Sequence, residues 1–181
     1  MRVIGVDPGT RVCGFGIVDS ANGSLIHVTS GAIVPTPSHS IASRLKTIHE
    51  GLVQVIQEFG PDAMSIEGLF FAKNAKSAIK LGEARGVAYL AAAFSGLSVH
   101  EYAPTEVKLA VTGRGRAKKL EVQRMISTIF GINRWERTDV SDAIAIALCH
   151  INISEKKERL GIEVLTSRRR RRRFSINDLP S

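Results

Sequence analysis

The chain is poor in the residues that build stapled or membrane-bound folds. It has two cysteines, Cys13 and Cys149, in 181 residues. That is too few for a disulfide scaffold or for a zinc site of their own, so both read as reduced core residues. No apolar run approaches the roughly 18 residues that span a bilayer. The opening Met1-Arg2-Val3-Ile4-Gly5-Val6-Asp7 meets an acid before a signal-peptide pattern can develop, so a cytoplasmic protein with no membrane association is expected. Aromatic residues make up only 6%, with a single tryptophan, Trp135. The five histidines show no ligand spacing, and no internal repeat is visible.

Hydrophobic residues are nonetheless 44% of the chain, enough for one domain with a proper core. The formal net charge is +8, unevenly spread. Residues 1–72 carry −2, residues 73–124 carry +6, residues 125–150 carry −1 and residues 151–181 carry +5. The last segment holds six consecutive arginines, Arg168 to Arg173, without apolar periodicity. The chain therefore divides into a domain over 1–153 and a basic, disordered tail over 154–181. A polyanionic partner is implied, though net charge alone does not say which.

Short apolar runs separated by turn residues give the element order. Val3–Val6, Val12–Val18 and Leu25–Val34 read as three strands joined by short links, an antiparallel meander. Ile41, Leu45, Ile48, Leu52, Val55 and Phe59 recur at helical spacing, and Gly60-Pro61 ends that helix. Ala63–Ile66 is a buried strand ending at Glu67. Residues 75–94 are Ala-rich and helical, Leu97–Tyr102 is a strand, and Pro104 opens a short helix. Val122–Phe130 and Asp139–Ile153 are the last helices. The expected fold is α/β, a five-stranded mixed sheet with helices on both faces.

Asp7 and Glu67 each close an apolar strand, and Asp139 and Asp142 lie three apart at the start of the last helix, on one face. If the first and fourth strands are neighbours, four carboxylates meet at one sheet edge. Such a cluster repels itself unless cations fill it, and hard divalent ions suit oxygen ligands. Two Mg2+ ions, with Mn2+ able to substitute, would clamp a phosphodiester, one activating a water and the other stabilising the leaving oxygen. Other carriers of charge lie between these acids. Lys73, Lys76 and Lys80 share a side of one helix start. Lys108, Arg114, Arg116, Lys118 and Lys119 concentrate charge around the Gly-rich loop at 113–116, suited to following a phosphate backbone. Phe70, just after Glu67, could stack on an unpaired base.

Four segments, Val-Ile-Gly-Val-Asp-Pro-Gly-Thr at 3–10, Ile-Glu-Gly-Leu-Phe-Phe-Ala-Lys-Asn at 66–74, Lys-Leu-Gly-Glu-Ala-Arg-Gly at 80–86 and Asp-Val-Ser-Asp-Ala at 139–143, together resemble the RuvC crossover-junction endodeoxyribonucleases. These are Holliday junction resolvases of the ribonuclease H-like superfamily. The resemblance spans about residues 1–153. It implies a ribonuclease H-like fold and a homodimer on four-way junction DNA, working with the RuvA-RuvB branch-migration complex. It also implies paired symmetric nicks in strands of the same polarity, leaving 5′-phosphate and 3′-hydroxyl ends. By the same resemblance Asp7, Glu67, Asp139 and Asp142 bind metal and carry catalysis. Lys108 and Lys119 match catalytic or DNA-binding lysines, and Phe70 matches a stacking aromatic. Two other functions remain open: a junction-binding module without catalysis, and a superfamily nuclease acting on precursor ribosomal RNA.

Overall fold

The structure is a computed structural model, and it describes residues 1–68, 75–132, 135 and 137–161. β1 (Arg2–Asp7), β2 (Cys13–Ala21) and β3 (Ser24–Ile33) form the meander. α1 (Ile41–Phe59), β4 (Ala63–Glu67), α2 (Ala75–Phe94) and β5 (Ser98–Tyr102) follow. α3 (Pro104–Thr112), α4 (Lys119–Phe130) and α5 (Thr138–Arg159) complete the described fold. The five strands run in the order β3-β2-β1-β4-β5. β2 pairs antiparallel with both β1 and β3, while β1–β4 and β4–β5 are parallel. The sheet is mixed, as the sequence predicts.

Local chemistry accounts for the main turns. Asn22 and Gly23 link β2 to β3 with φ of 52° and 76°, the left-handed pair that a tight hairpin demands and that Asn-Gly adopts at low cost. Ser40 caps α1 by accepting from the Ser43 backbone N–H at 3.2 Å, and Gly60 ends it in the left-handed region. α5 runs on to Arg159, past residue 153 where the sequence placed the end of the domain. The helix continues because Glu155 and Arg159 pair one turn apart at 3.7 Å and because Lys156, Lys157 and Arg159 suit the negative end of the helix dipole.

Alternation along the central strands builds two cores. Ile4, Val6, Cys13, Ile17, Met64 and Ile66 point to one side, against Ile48 and Leu52 of α1 and Ala88, Ala91 and Ala92 of α2. Val3 and Val18 point to the other, against Ile144, Leu148 and Ile151 of α5 together with α3 and α4. Helices therefore cover both faces. α5 lies so close to the sheet that a Cβ at Gly5 would collide with the Ala143 carbonyl oxygen, and one at Gly14 with that of Asp139. Glycine at these positions seats the first turn of α5 on the carboxyl end of β1. Both cysteines are free and buried.

Candidate active site

The β1–β4 pairing sets Val6 opposite Ile66, so Asp7 and Glu67 emerge side by side at the carboxyl end of the sheet. α5 brings Asp142 to the same point. The three carboxylates line a cavity of about 300 Å3 together with Lys108 from α3 and Lys119 from α4, over a floor of Val107, Val122 and Ile146. Asp139 is near enough to raise the pKa of Asp7 and Asp142 but does not line this cavity. It lines a neighbouring cavity with Gly9, Arg11 and Lys80.

Burial and crowding perturb these acids in the way charge repulsion dictates. Desolvation raises Asp7 to about 7, with Asp142, Asp139 and Glu67 adding to the rise and Lys119 opposing it. Glu67 is raised by burial and by Asp142, against the charges of Lys108, Lys119 and Arg85. Asp142 is raised by burial, although Lys119 donates to it at 2.5 Å. Burial also works against the Lys119 ammonium, but Asp142, Asp7 and Asp139 outweigh it and its pKa rises.

Among the described residues no three His, Cys, Asp or Glu side chains are already gathered closely enough to share an ion. The donor chemistry still fits a hard divalent cation, since the carboxylates are partly desolvated, crowded together and only partly offset by Lys108 and Lys119. Asp7, Glu67 and Asp142 would hold it, with Asp139 at the adjoining cavity.

Among the described residues, the remaining basic residues from the sequence do not line this cavity. Arg114 pairs with Glu121 at 2.6 Å, and Arg116 and Lys118 are exposed on the same loop. Lys80 is exposed on α2 beside Asp139. Lys76 lies in the first turn of α2, but its side chain is outside the described residues, as are Phe70, Lys73 and the arginine run.

Arg85 is a residue that sequence reasoning missed. Its side chain is 6% exposed. It donates to the Glu67 carbonyl oxygen, to Tyr89 Oη at 2.9 Å and to Glu101 Oε2 at 2.9 Å. It thus fastens α2 to the end of β4, immediately behind a candidate catalytic acid. The available signal was a lone arginine among Ala84, Ala88 and Ala91, all buried. Trp135, for which the sequence suggests no role, packs near α4 and donates to Ser127 Oγ at 2.9 Å.

The chain is similar to known proteins over most of its length. Residues 3–150 match the family described as crossover junction endodeoxyribonuclease RuvC. A relative of that name from Trichlorobacter lovleyi is 43% identical over 169 residues, covering 93% of this chain and 95% of the relative. Another, from Geobacter sulfurreducens, is 46% identical over 157 residues, 87% of this chain and 96% of the relative. Among solved structures, T. thermophilus RuvC in complex with a Holliday junction substrate superposes with a TM-score of 0.81 at 32% identity, covering 90% of this chain and 97% of that one. The yeast mitochondrial Holliday junction resolvase Ydc2 shares the fold, with a TM-score of 0.63 at 10% identity over 87% of this chain and 82% of that one.

Proposed function

The chain belongs to the RuvC family of crossover junction endodeoxyribonucleases, a Holliday junction resolvase by that membership, and we propose that it nicks four-way DNA junctions with Asp7, Glu67, Asp139, Asp142, Lys108 and Lys119 as its working residues. The observation that carries this is the cavity where Asp7, Glu67 and Asp142 meet Lys108 and Lys119. Divalent-metal dependence follows from the family, and Mg2+, with two ions per subunit, is the reading proposed here. A bound divalent cation supplies Lewis acidity toward the phosphate and offsets the charge of the carboxylates.

The protein's own part is to hold that charge distribution ready. Strand register fixes the backbones of the half-buried Asp7 and Glu67 side by side. Lys119 pairs with Asp142 in the free protein; with a divalent cation held at that carboxylate, its ammonium would be free to contact a phosphate oxygen. Lys108 lines the same cavity, where its ammonium can stabilise charge developing on the phosphate. Phe70 is proposed to stack on a base at the crossover, with Lys73, Lys76, Lys80, Arg114, Arg116 and Lys118 as further DNA contacts.

Two symmetric cuts require two sites, and α2 supports a homodimer. Ile79, Gly82, Gly86, Leu90 and Phe94 fall within about 120° of helix arc. Ile79, Leu90 and Phe94 are large and exposed, Phe94 at 79%. A Cβ added at Gly82 or Gly86 would meet nothing among the described residues, so packing against them does not require glycine there. A second copy of α2 would use the close approach they permit. The RuvA-RuvB complex is proposed as partner and the cytoplasm as location; no described helix is long and apolar enough to cross a membrane.

The test is incubation with a synthetic mobile four-way junction and Mg2+. Paired nicks at symmetric positions, absent with Asp7→Asn, are the expected result. Junction binding in EDTA without nicking after Mg2+ is added would make this a binding module instead. Faster cutting of precursor ribosomal RNA than of the junction would overturn the choice of substrate.

A further inference from the structure

A second concavity lies beyond the candidate active site. It measures about 500 Å3 and is walled by Arg11 from the β1–β2 loop, Val34, Pro35 and Pro37 after β3, Arg44 from α1 and Arg137 at the start of α5. None of the three arginines is ion-paired to a carboxylate among the described residues. Arg44 donates through Nη2 to the Thr10 carbonyl oxygen. Its Nε is the only buried side-chain polar atom without a hydrogen-bond partner among the described residues. A desolvated guanidinium N–H with no acceptor is unusual in a folded protein, and each such case calls for an explanation. Three guanidinium groups around one hollow also repel one another. An anion with several acceptor oxygens resolves both problems at once.

The position of the hollow says which anion. Arg11 lines it and also lines the next cavity, which holds Lys80 and Asp139. Asp139 shares the face of α5 that carries Asp142 into the candidate active site. A cationic path therefore leads from the cutting site, past Lys80 and Arg11, into the three-arginine hollow. Arg11 and Arg137 are exposed at its rim, so a long polymer can lie across it. Resting on the resolvase reading, we propose that Arg11, Arg44 and Arg137 form a phosphate clamp for a DNA backbone phosphodiester flanking the crossover, separate from the one that is cut. It shares no lining residue with the candidate active-site cavity and would hold the substrate at a separate point.

The experiment measures junction affinity in EDTA across a salt series, for the wild type, Arg11→Ala/Arg137→Ala, Arg44→Lys and a control, Lys46→Ala. Lys46 is an exposed base on α1 paired to Glu50 and lines none of these cavities. Loss of the clamp should weaken binding about tenfold or more at moderate salt. It should also flatten the slope of log affinity against log salt by about 0.9 for each phosphate that is no longer neutralised. Lys46→Ala should keep the wild-type slope. Arg44→Lys keeps a charge but not the forked donors, and should weaken binding less than the double variant does. An unchanged slope in the double variant overturns the clamp, as does an equal loss in Lys46→Ala. Stabilisation by inorganic phosphate that depends on Arg44, with no change in junction slope, would identify a free-anion site and also overturn it. Nicking by the wild type is scored separately with Mg2+, so failure of the resolvase reading shows as intact junction and is not confused with loss of the clamp. Arg11→Ala/Arg137→Ala alters exposed side chains only, so the test survives if Arg44→Lys folds poorly.

Discussion

One helix, α5, carries polar side chains at two stations, one half-buried and one buried, and treats them in opposite ways. In its first turns Asp142 faces Asp7 and Glu67: Asp142, Asp139 and Glu67 raise Asp7, Asp142 raises Glu67, and Asp139 raises Asp142, with Lys119 as the one ion pair. Two turns further on, His150 is 4% exposed. Its Nδ1 shares a hydrogen bond of 2.7 Å with the Tyr102 hydroxyl, and its ring lies 4.3 Å from that of His100. Burial, His100 and Lys157 push His150 down to about 4, so it is neutral and satisfied at ordinary pH. The core accepts a polar group when it is uncharged and has a partner. Where buried charges repel and lack enough partners, stability has been set aside for chemistry.

The sharpest way to break this comparison is to neutralise Asp7. Asp7→Asn should lower junction cleavage at least about 10³-fold. It should also raise the metal-free stability by about 2 kcal/mol at pH 8, because a raised carboxylate pKa disfavours the folded state once charged. Asp142→Asn should lose activity as severely without that gain, since it also gives up the Lys119 ion pair. Urea unfolding beside the cleavage assay checks both. A destabilised Asp7→Asn would mean that Asp7 is held by partners rather than strained by neighbours.

The pH dependence should split the two stations by sign. The folded pKa of Asp7 is raised to about 7, so its effect on stability is absent below its ordinary value near 4. The loss grows as pH climbs toward 7, in the metal-free protein. The folded pKa of His150 is depressed to about 4, so its contribution is present above 6.5 and is lost as pH falls from 6.5 through 4, by about 2–3 kcal/mol in full. His150→Phe should remove the acid-side slope and leave the other. A single slope of one sign across pH 4–8 would contradict the contrast.

Much of this geometry was legible in the sequence, for a physical reason. Strands that end in an acid announce themselves, because an apolar run stopping at Asp7 or Glu67 has few structural motives. The parallel neighbours β1 and β4 then bring those ends together. The antiparallel meander, the end of α1 at Gly60 and the two faces of helices followed from local rules. Three things did not. The position of Asp139 beside Arg11 and Lys80 depends on how α5 is rotated over the sheet, which spacing alone leaves open. Arg114 pairs with Glu121 across a turn, so a residue counted as free charge is partly engaged. The roles of Arg85 and Arg44 depend on partners 18 and 34 residues away along the chain, which no local pattern encodes.

Lys119 tests the acidic station more gently. Its side chain is 56% exposed, so its pair with Asp142 is screened and Lys119→Met should cost under about 1 kcal/mol. Cleavage should fall by about 10²-fold, because a charge aimed at the phosphate is lost. A stability loss without a loss of rate would make Lys119 a structural counter-ion only.

The smallest effect is expected at the station that is fully satisfied. Tyr102 stands opposite Glu67 in the β4–β5 register, and its carbonyl oxygen accepts from the Gly68 N–H at 2.8 Å. Its backbone therefore borders the acidic cavity, while its hydroxyl is committed to His150. Tyr102→Phe removes one buried hydrogen bond and should cost about 1 kcal/mol, with junction cleavage within about twofold of the wild type. Since the strand pairing is backbone alone, Glu67 should not move. A fall in rate of tenfold or more at full folding would show that the hydroxyl–imidazole pair helps to hold Glu67 in place. The two stations of α5 would then be one coupled unit, and the division between a structural and a functional end of the helix would fail.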